Sequence, residues 1–397
     1  MSILNAMYTG VSGLDAESTD LNIIGNNISN ANTIGFKESR AAFDNVMGAV
    51  DPTVVGDGVE IGGTQQVFTQ GSLLNTGVQS DLAISGDGFF VVSGSVGGIT
   101  GNFYERDGQT SINANGQLVD TNGLPMQGYA IDQTGKASST LSAITLPTAA
   151  LAPKATSTIT VAANLNSGAT TTDAPFTDSI PTYNSQGTSQ QVGLSFQNTG
   201  PGTWTCTATV PGAGSTPVTV GTGSLTFANG QLSNASPITL TIPGTGTGAS
   251  QTVKLNFTGT TQFASTSAVS SQTQDGYASG SMSGVQVGQD GTVSGVYSNG
   301  QTVAVGQLAI AKFPSNTGLT CAGNNLWAAS QGSGAPSLGA AGTGGRGSIS
   351  SGSLEQSNVD ITAQFVDLIA QQRAFEADSK TITTADQMMQ DLMQMKQ

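Results

Sequence analysis

The side chains that most often carry out chemistry are scarce in this sequence or poorly placed for it. Histidine is absent, which removes Ser-His-Asp triads, His-paired thiols and His-ligated metals together. The two cysteines, Cys206 and Cys321, lie far apart and form no C-x-x-C spacing. Cys206 alternates with polar residues and reads as a small buried residue of a strand. We therefore expect no catalytic, cofactor-binding or metal-binding residues.

Other candidate sites have simpler structural interpretations. Asp87 and Asp290 each precede a glycine, which is typical of turns rather than of paired catalytic carboxylates. The glycine-rich runs at 244–246 and 342–345 lack the Lys-Ser/Thr ending and the strand-to-helix setting of a phosphate loop. The methionines near the C-terminus indicate adaptable packing. A β-rich enzyme and a surface adhesin remain alternatives at this point.

Apolar side chains at heptad spacing mark both ends of the chain. The N-terminal repeat has Ser18 and Gly25 in two positions, and its apolar members are Leu4, Met7, Val11, Leu14, Leu21 and Ile28. The C-terminal members are Ile361, Leu368, Phe375, Ile382, Ala385, Met389 and Leu392. A helix with such a stripe needs a partner helix to bury it. We predict that the terminal helices pair and hold copies of the chain together, which indicates a self-assembling protein.

The composition favours subunit packing over binding to polyanions. Charged residues make up 9% of the chain, against roughly a quarter in an average soluble domain. The net charge of −14 disfavours nucleic acid and anionic membrane as partners, because both attract clustered Lys and Arg. A surface with few charges has little to desolvate when subunits pack.

The N-terminal segment does not resemble a cleavable secretory signal. It has no positive region, no continuous apolar core and no clear cleavage site. No stretch approaches the roughly 18 apolar residues of a membrane helix, so we expect no membrane insertion. The chain is expected to be cytoplasmic or exported without such a signal.

The segment between the ends is predicted to be β structure. Turn pairs such as Asn115-Gly116 and Asn122-Gly123 are hairpin markers, and Val192, Leu194 and Phe196 alternate with polar residues. The predicted fold class is mainly β with terminal α-helices, with two nested antiparallel β domains inserted between an N-terminal and a C-terminal helix that form a coiled-coil-like pair. The expected divisions are a helical domain over 1–30 and 357–397, an extended linker over 31–72, a first β domain over 73–146 and 276–356, and a second over 147–275.

Two details concern the predicted helices. Ser357 and Asp360 have the spacing of a capping box, so the C-terminal helix is expected to start there. Gly10, Gly13 and Gly25 interrupt the N-terminal helix, and they permit either close approach of a partner helix or local weakness.

Several motifs together resemble one family. Residues 26–37 read Asn-Asn-Ile-Ser-Asn-Ala-Asn-Thr-Ile-Gly-Phe-Lys, residues 354–360 read Leu-Glu-Gln-Ser-Asn-Val-Asp, and 372–377 read Gln-Arg-Ala-Phe-Glu-Ala. Residues 81–90 and 126–129 add central β motifs. As a set, these resemble the bacterial flagellar rod and hook axial proteins. The motif residues that carry over are Asn26, Asn27, Asn30, Asn32, Gly35, Phe36, Leu354, Glu355, Ser357, Asn358, Val359, Asp360, Gln372 and Arg373.

The resemblance has two gaps. The stretch 104–110 departs from the family's usual Thr-Arg-Ala-Gly-Asn-Phe, and the insert over 147–275 carries no motif that we can match. Within the family, a subunit of the curved hook and one of the straight distal rod are alternatives. The large second β domain favours the hook.

The resemblance implies a structural, non-enzymatic subunit of an extracellular flagellar polymer. Its expected partners are other copies of itself, the distal rod, the hook cap, the hook–filament junction proteins and the flagellar type III export apparatus. The polymer would be a curved hollow tube that acts as a universal joint. Its terminal helices would line the channel and its β domains would form the outer layers.

Overall fold

The computed structural model describes residues 3–46, 56–132, 135–212, 216–234, 236–244 and 249–395, with the side chains of residues 3–5 left out. The chain divides into two compact units. The first comprises Met1–Thr148, Val285–Gly295 and Val303–Gln397, and the second comprises Ala149–Gly284 and Val296–Thr302.

An α-helix stands at each end of the chain, α1 over Ile3–Ser29 and α2 over Ile361–Gln394. All other regular structure among the described residues is strand apart from a single short 3₁₀ turn. This confirms the predicted fold class, a mainly β chain with terminal helices. Neither helix has the apolar content that a membrane-crossing helix requires within the described residues.

The start of α2 differs in detail from the sequence prediction. The Asp360 carboxylate accepts hydrogen bonds from the backbone N–H groups of Thr362 (2.8 Å) and Ala363 (3.3 Å). Ser357 instead accepts one from Val359 N at 3.3 Å, before the helix. Asp360 alone is therefore the N-cap, because its side chain satisfies the free donors of the first turn.

The strands fall into three groups along the chain. The N-terminal part of the chain contains β1 Ser39–Val46, β2 Gly58–Gln66, β3 Leu73–Asn75, β4 Leu82–Ser85, β5 Phe89–Val96, β6 Ile99–Glu105, β7 Ser111–Ile112, β8 Leu118–Val119, β9 Gln127–Ile131 and β10 Ala137–Ala143. The middle contains β11 Thr158–Asn164, β12 Phe176–Tyr183, β13 Ser189–Gly200, β14 Thr203–Pro211, β15 Pro217–Ala228, β16 Gln231–Leu232, β17 Ile238–Ile242, β18 Gln251–Asn256 and β19 Ala268–Gln274. The last part contains β20 Met282–Val287, β21 Thr292–Tyr297, β22 Thr302–Lys312, β23 Thr320–Gly323, β24 Leu326–Ala328, β25 Ser337–Ala340, β26 Ser348–Ser351 and β27 Ser353–Glu355.

The segment expected to be an extended linker, residues 31–72, contains the antiparallel hairpin β1–β2. The hairpin lies against α1, where the Ser12 hydroxyl accepts a hydrogen bond from Val59 N at 3.2 Å. Its side chains are exposed or half-buried along both strands. Because neither strand has one fully buried face, its sequence shows no strict alternation of apolar and polar residues. That alternation is the signal from which a strand is predicted, so the sequence contains no indication of the hairpin.

The main sheet of the first unit runs in the order β10-β9-β22-β5-β6-β24-β23. Its strands come from both sides of the inserted second unit, so the first unit is completed only when the chain returns. The core on one face includes edge-to-face aromatic pairs, such as Tyr104 with Phe313 at 4.7 Å between ring centroids. The same unit contains the shorter strand pairs β26–β4 and β27–β3, of which β27 is the last strand before α2.

The second unit is a sandwich of two sheets, β17-β18-β11-β19 and β12-β13-β14-β15-β16. Val192, Leu194 and Phe196 of β13 are buried while their neighbours are not, as the alternation predicts. The expected antiparallel arrangement is incomplete, because β11 pairs with β18 in parallel. These two strands are distant in sequence, so the long connection that parallel pairing requires is available.

Both cysteines are free thiols. Cys206 lies in the core of the second unit, where burial raises the pKa of its thiol to about 12. Cys321 is exposed in β23. The thiol of Cys206 is therefore protonated at neutral pH and serves as a small core residue.

Glu105, at the end of β6, is a buried carboxyl group without a hydrogen-bond partner among the described residues. Burial raises its pKa to about 9, and the neighbouring carboxylates of Asp120 and Asp107 add to the effect. The folded protein thus holds this proton more tightly than the unfolded chain does. The contribution of Glu105 to stability is therefore fully present below the ordinary carboxyl pKa and is lost as the pH rises through about 9.

We expect Glu105→Met to stabilise the first unit at neutral and alkaline pH. The change removes an unsatisfied buried polar group at similar volume, which is worth about 1–3 kcal/mol. In a Trp204→Phe background, Trp327 fluorescence reports unfolding of the first unit alone. The gain should be larger at alkaline than at acidic pH. Equal unfolding curves for Glu105→Met and for the exposed control Glu376→Met would contradict the expectation.

Candidate assembly interface

The two terminal helices pack along each other, and small residues set their separation. A Cβ atom at Gly10 would lie 3.0 Å from Ile382 Cγ1, and one at Gly13 would overlap the Asp378 carboxylate. The glycines of α1 therefore allow close helix approach, the first of the two interpretations that the sequence left open.

The buried face of α1 is offset by one residue, toward the N-terminus, from the apolar heptad positions that the sequence predicts, which are called the predicted seam of each helix. Five of its buried members keep the heptad spacing, Gly10, Gly13, Asp20, Ile24 and Asn27, and Ala16 is buried beside them. Of the predicted members, Met7, Leu14, Leu21 and Ile28 are half-buried and Val11 is 52% exposed, while the Leu4 side chain lies outside the described residues. The close contact within the chain is thus made mainly by small and polar residues together with Ile24, and the predicted apolar row lies beside it.

The predicted seam of α2 divides into two groups. Ala385 is buried, and Leu368, Ile382 and Met389 are half-buried. The remaining three, Ile361, Phe375 and Leu392, are exposed. Within one chain, only the first group contributes to burial.

A large apolar surface remains exposed on the helical pair. Its members are Tyr8, Val11, Ile361, Phe365, Val366, Ile369, Phe375, Met388, Leu392, Met393 and Met395. Soluble monomers seldom expose this many large apolar side chains on so few elements, and such surfaces mark interaction sites. The geometry suits packing against further helices.

A polar contact joins the far end of α1 to α2. Asn27 is buried, and its amide nitrogen donates to Gln364 Oε1 (3.0 Å) and to Ser39 O (2.8 Å). Its Oδ1 accepts from Ser39 N at 2.9 Å. Asn27 therefore ties α1, α2 and the start of β1 together.

Glu355, at the end of β27 and shortly before α2, is the centre of a buried ionic cluster. Its Oε1 accepts from Lys37 Nζ (2.6 Å) and Gly71 N (2.9 Å), and its Oε2 accepts from Arg106 Nη1 (2.9 Å). The Glu355 side chain is fully buried, and those of Lys37 and Arg106 are nearly so. Burial lowers the pKa of Lys37, while the Glu355 carboxylate opposes this shift.

Further motif residues surround the cluster. The Asn358 amide donates to Val67 O (2.8 Å) and Thr69 Oγ1 (2.9 Å), and its Oδ1 accepts from Glu38 N (2.8 Å). Gly35 N donates to Glu355 O at 2.8 Å. Gly35 has φ +69°, and a Cβ there would overlap the backbone of Arg106, so only glycine fits.

The other motif residues differ in their surroundings. Leu354 is buried, and Phe36 and Val359 are half-buried. Asn30 bonds back to Asn26 O at 3.0 Å and accepts from Thr33, which shapes the end of α1. Asn32 and Gln372 are exposed, and Arg373 makes an exposed ion pair with Glu376 at 2.9 Å. The structure thus brings the N-terminal motif and residues 354–360 together but leaves Gln372 and Arg373 apart from them.

Two residues of the cluster, Lys37 and Arg106, were not among the predicted site residues. Lys37 ends the N-terminal motif, and its presence in a chain with only 11 basic residues was an available signal. Arg106 lies in the stretch that departs from the family pattern, and no local signal indicated that it reaches Glu355.

Breaking the Glu355 cluster should destabilise the first unit strongly. Glu355→Ala leaves the charges of Lys37 and Arg106 buried without a partner, which typically costs about 3–5 kcal/mol. The matched control Glu376→Ala removes an exposed pair and should change stability by less than about 1 kcal/mol. Trp327 fluorescence in the Trp204→Phe background measures both. Similar losses for the two variants would show that the cluster is not a principal support.

Four family models match the chain in sequence order. They are described as "Flagella basal body rod protein" (residues 7–37), "Flagellar hook protein FlgE/F/G D1 domain" (83–164), "Flagellar basal body protein FlaE D2 domain" (151–277) and "Flagellar basal body rod FlgEFG protein C-terminal" (350–395). The insert in which we could match no motif is thus covered by the third of these models.

Curated relatives match along almost the whole chain. The flagellar hook protein FlgE of Escherichia coli K12 is 36% identical over 98% of this chain and 100% of the relative. That of Salmonella typhimurium LT2 is 36% identical over 97% of this chain and 98% of the relative. That of Borreliella burgdorferi is 33% identical over 99% of this chain and 100% of the relative.

A solved structure supports the fold. The crystal structure of Helicobacter pylori flagellar hook protein FlgE2 superposes with a TM-score of 0.53 at 14% identity, covering 70% of this chain and 98% of that one. The resemblance to flagellar axial proteins is confirmed, and the distal-rod alternative is not favoured. The chain belongs to the flagellar hook protein family and is a structural subunit of the bacterial flagellar hook.

Proposed function

We propose that this subunit polymerises through α1 and α2 into a curved hollow tube. The exposed apolar surface of the helical pair is the observation that carries the proposal. One chain buries only the face of α1 that contains Gly10, Gly13 and Ile24, so the neighbouring apolar row and the exposed group on α2 are available to other copies. In this proposal both predicted seams act between subunits, and the helices, over about 1–30 and 357–397, line the channel.

In the proposed tube, the β strands of both units form the outer part. A universal joint must bend while it turns, so contacts along the tube have to break and re-form. Only Lys154 and Lys254 are basic in the stretch 147–275, where Thr, Ser and Gly dominate. Weak polar contacts of this kind do not lock one register as a network of buried ion pairs would. Torque would pass through the more persistent helical contacts.

The proposed hook subunit would also contact other flagellar proteins and would need an export route. The distal rod, the hook cap and the hook–filament junction proteins would contact the two ends and the growing tip of the polymer. The type III export apparatus would secrete the chain unfolded, without a cleavable signal, to the extracellular hook. The proposed role involves no catalysis, and the absence of histidine supports this by removing the most common acid–base group.

Assembly can be tested with one charge placed on the exposed apolar row. We expect the concentrated protein in high salt to form curved tubes in negative-stain electron microscopy. Val11→Asp should abolish the tubes, because a carboxylate cannot be buried against a neighbouring helix without a partner. Asn22→Asp adds the same charge at an exposed polar position of α1 and should leave them intact. Straight tubes would favour the rod, and an absence of tubes from the unaltered chain would contradict the proposal.

Export can be separated from assembly in living cells. Deleting residues 1–30 should abolish secretion and polymerisation together, because the proposed export signal and one helical seam are both lost. The full-length Val11→Asp chain should still be secreted but should not assemble. Immunoblots of the culture medium measure secretion. Efficient secretion of the truncated chain would contradict the proposed route.

A further inference from the structure

Carboxylates face each other across the pairing of α1 with α2. Glu17 and Asp20 lie on α1, and Asp367 and Asp378 lie on α2. Glu38 precedes β1, close to Asp367 and to the N-cap Asp360. These groups form two layers along the contact between α1 and α2. One layer lies around Glu17 and Asp378, and the other around Asp20, Asp367 and Glu38.

The layer around Glu17 is tightly packed. The Asp378 carboxylate lies against the backbone of α1 at Gly13, so closely that a methyl group there would overlap it. Glu17 Oε2 is buried and has no hydrogen-bond partner among the described residues. For that one oxygen, an ionised carboxylate has no hydrogen-bond donor to replace its lost hydration, which is unfavourable.

The second layer surrounds a polar cavity of about 270 Å³ between α1, β1 and α2. Asp20, Asp367, Arg40 and Gln371 are among its lining residues. Asp20 is 9% exposed and receives hydrogen bonds from Gln371 and from the backbone of Ala41. These bonds compensate part, but not all, of the cost of burying its charge.

Among the ion pairs of the described residues, none joins a Lys or Arg to Glu17, Asp20, Asp367 or Asp378. The α1 sequence contains no Lys or Arg, and within the described part of α2 the basic residues are Arg373 and Lys380. Arg373 is paired with Glu376 on the exposed side. Arg40 faces Glu38 and favours its ionised form, although its guanidinium is also bonded to Gln65. Like charges therefore meet across the seam in both layers.

We propose that the α1–α2 pairing is proton-controlled: ionised Glu17 and Asp20, which face Asp378 and Asp367 across the pair, loosen it, and protonation of Glu17 and Asp20 tightens it. The inference concerns the same helical pair as the proposed function and rests on it for its role. A chain at neutral pH then keeps its terminal helices only loosely paired. Protonation, which removes the carboxylate charges between the helices, is the step that closes the pair.

The direction of the pH dependence follows from the same contacts. Burial, followed by Asp378, raises the pKa of Glu17, and burial, followed by Asp367, raises that of Asp20. Burial, followed by Asp367, also raises the pKa of Glu38. A carboxyl with a raised pKa in the paired state binds its proton more tightly there, so pairing strengthens as the pH falls. The effect is fully present below the ordinary carboxyl pKa and is lost as the pH rises through the raised value.

Far-UV circular dichroism at 222 nm tests this on the full-length monomer, because α1 (27 residues) and α2 (34 residues) are the α-helices of the described chain. We expect the helical signal to increase between about pH 7 and about pH 5, across the upper part of the carboxyl range. Glu17→Gln with Asp378→Asn should raise the neutral-pH signal toward the acid value and reduce the pH response. Sedimentation velocity confirms that each sample is monomeric.

The control is Asp15→Asn with Asp391→Asn, which removes the same net charge from exposed positions of the same two helices. It should retain the pH response of the unaltered chain. Three results would overturn the proposal: a pH-independent helical signal in the unaltered chain, equal responses of the two double variants, or no helical signal at any pH. Tube formation is measured separately, so failure here leaves the proposed function to its own test.

Discussion

The buried carboxylate of Glu355 is the contact on which the arrangement of the first unit depends. It binds Lys37, from the segment that leaves α1, and Arg106, from the loop after β6, while its own backbone leads into α2. Three distant parts of the chain therefore meet at one charge. Since a buried charge without partners is strongly unfavourable, this point allows few alternative geometries. Asn27 and Asn358 add hydrogen bonds that orient the ends of both helices around it.

The helical pair above this point is built differently. Glycines and a buried alanine bring α1 close to α2, and apart from Ile24 most of the larger apolar side chains remain beside or outside the contact. A pair that buried all of its apolar residues would have nothing left for other copies. The same contact also brings the carboxylates of Glu17 and Asp20 on α1 toward Asp378 and Asp367 on α2. The two helices are held together at one end by the Glu355 cluster and by the Asn27 hydrogen bonds.

Much of the organisation could be read from local patterns. Heptad spacing predicted both helices, and turn pairs and alternation predicted the strands of both β units, because these signals depend only on neighbouring residues. The hairpin β1–β2 was missed, since its strands pack on a helix and lack alternation. The parallel pairing of β11 with β18 was missed because strand partners distant in sequence leave no local signal.

The sequence by itself determined the class of the protein: terminal helices that need partners, a β-rich middle, and no histidine for catalysis or metal binding. Only the tertiary structure decided which face of α1 meets α2, because a heptad specifies a period and both the glycine face and the apolar face satisfy it. It also decided that Lys37 and Arg106 share Glu355. Ion pairing of this kind depends on where three separated segments are brought together, and no spacing along the chain encodes that position.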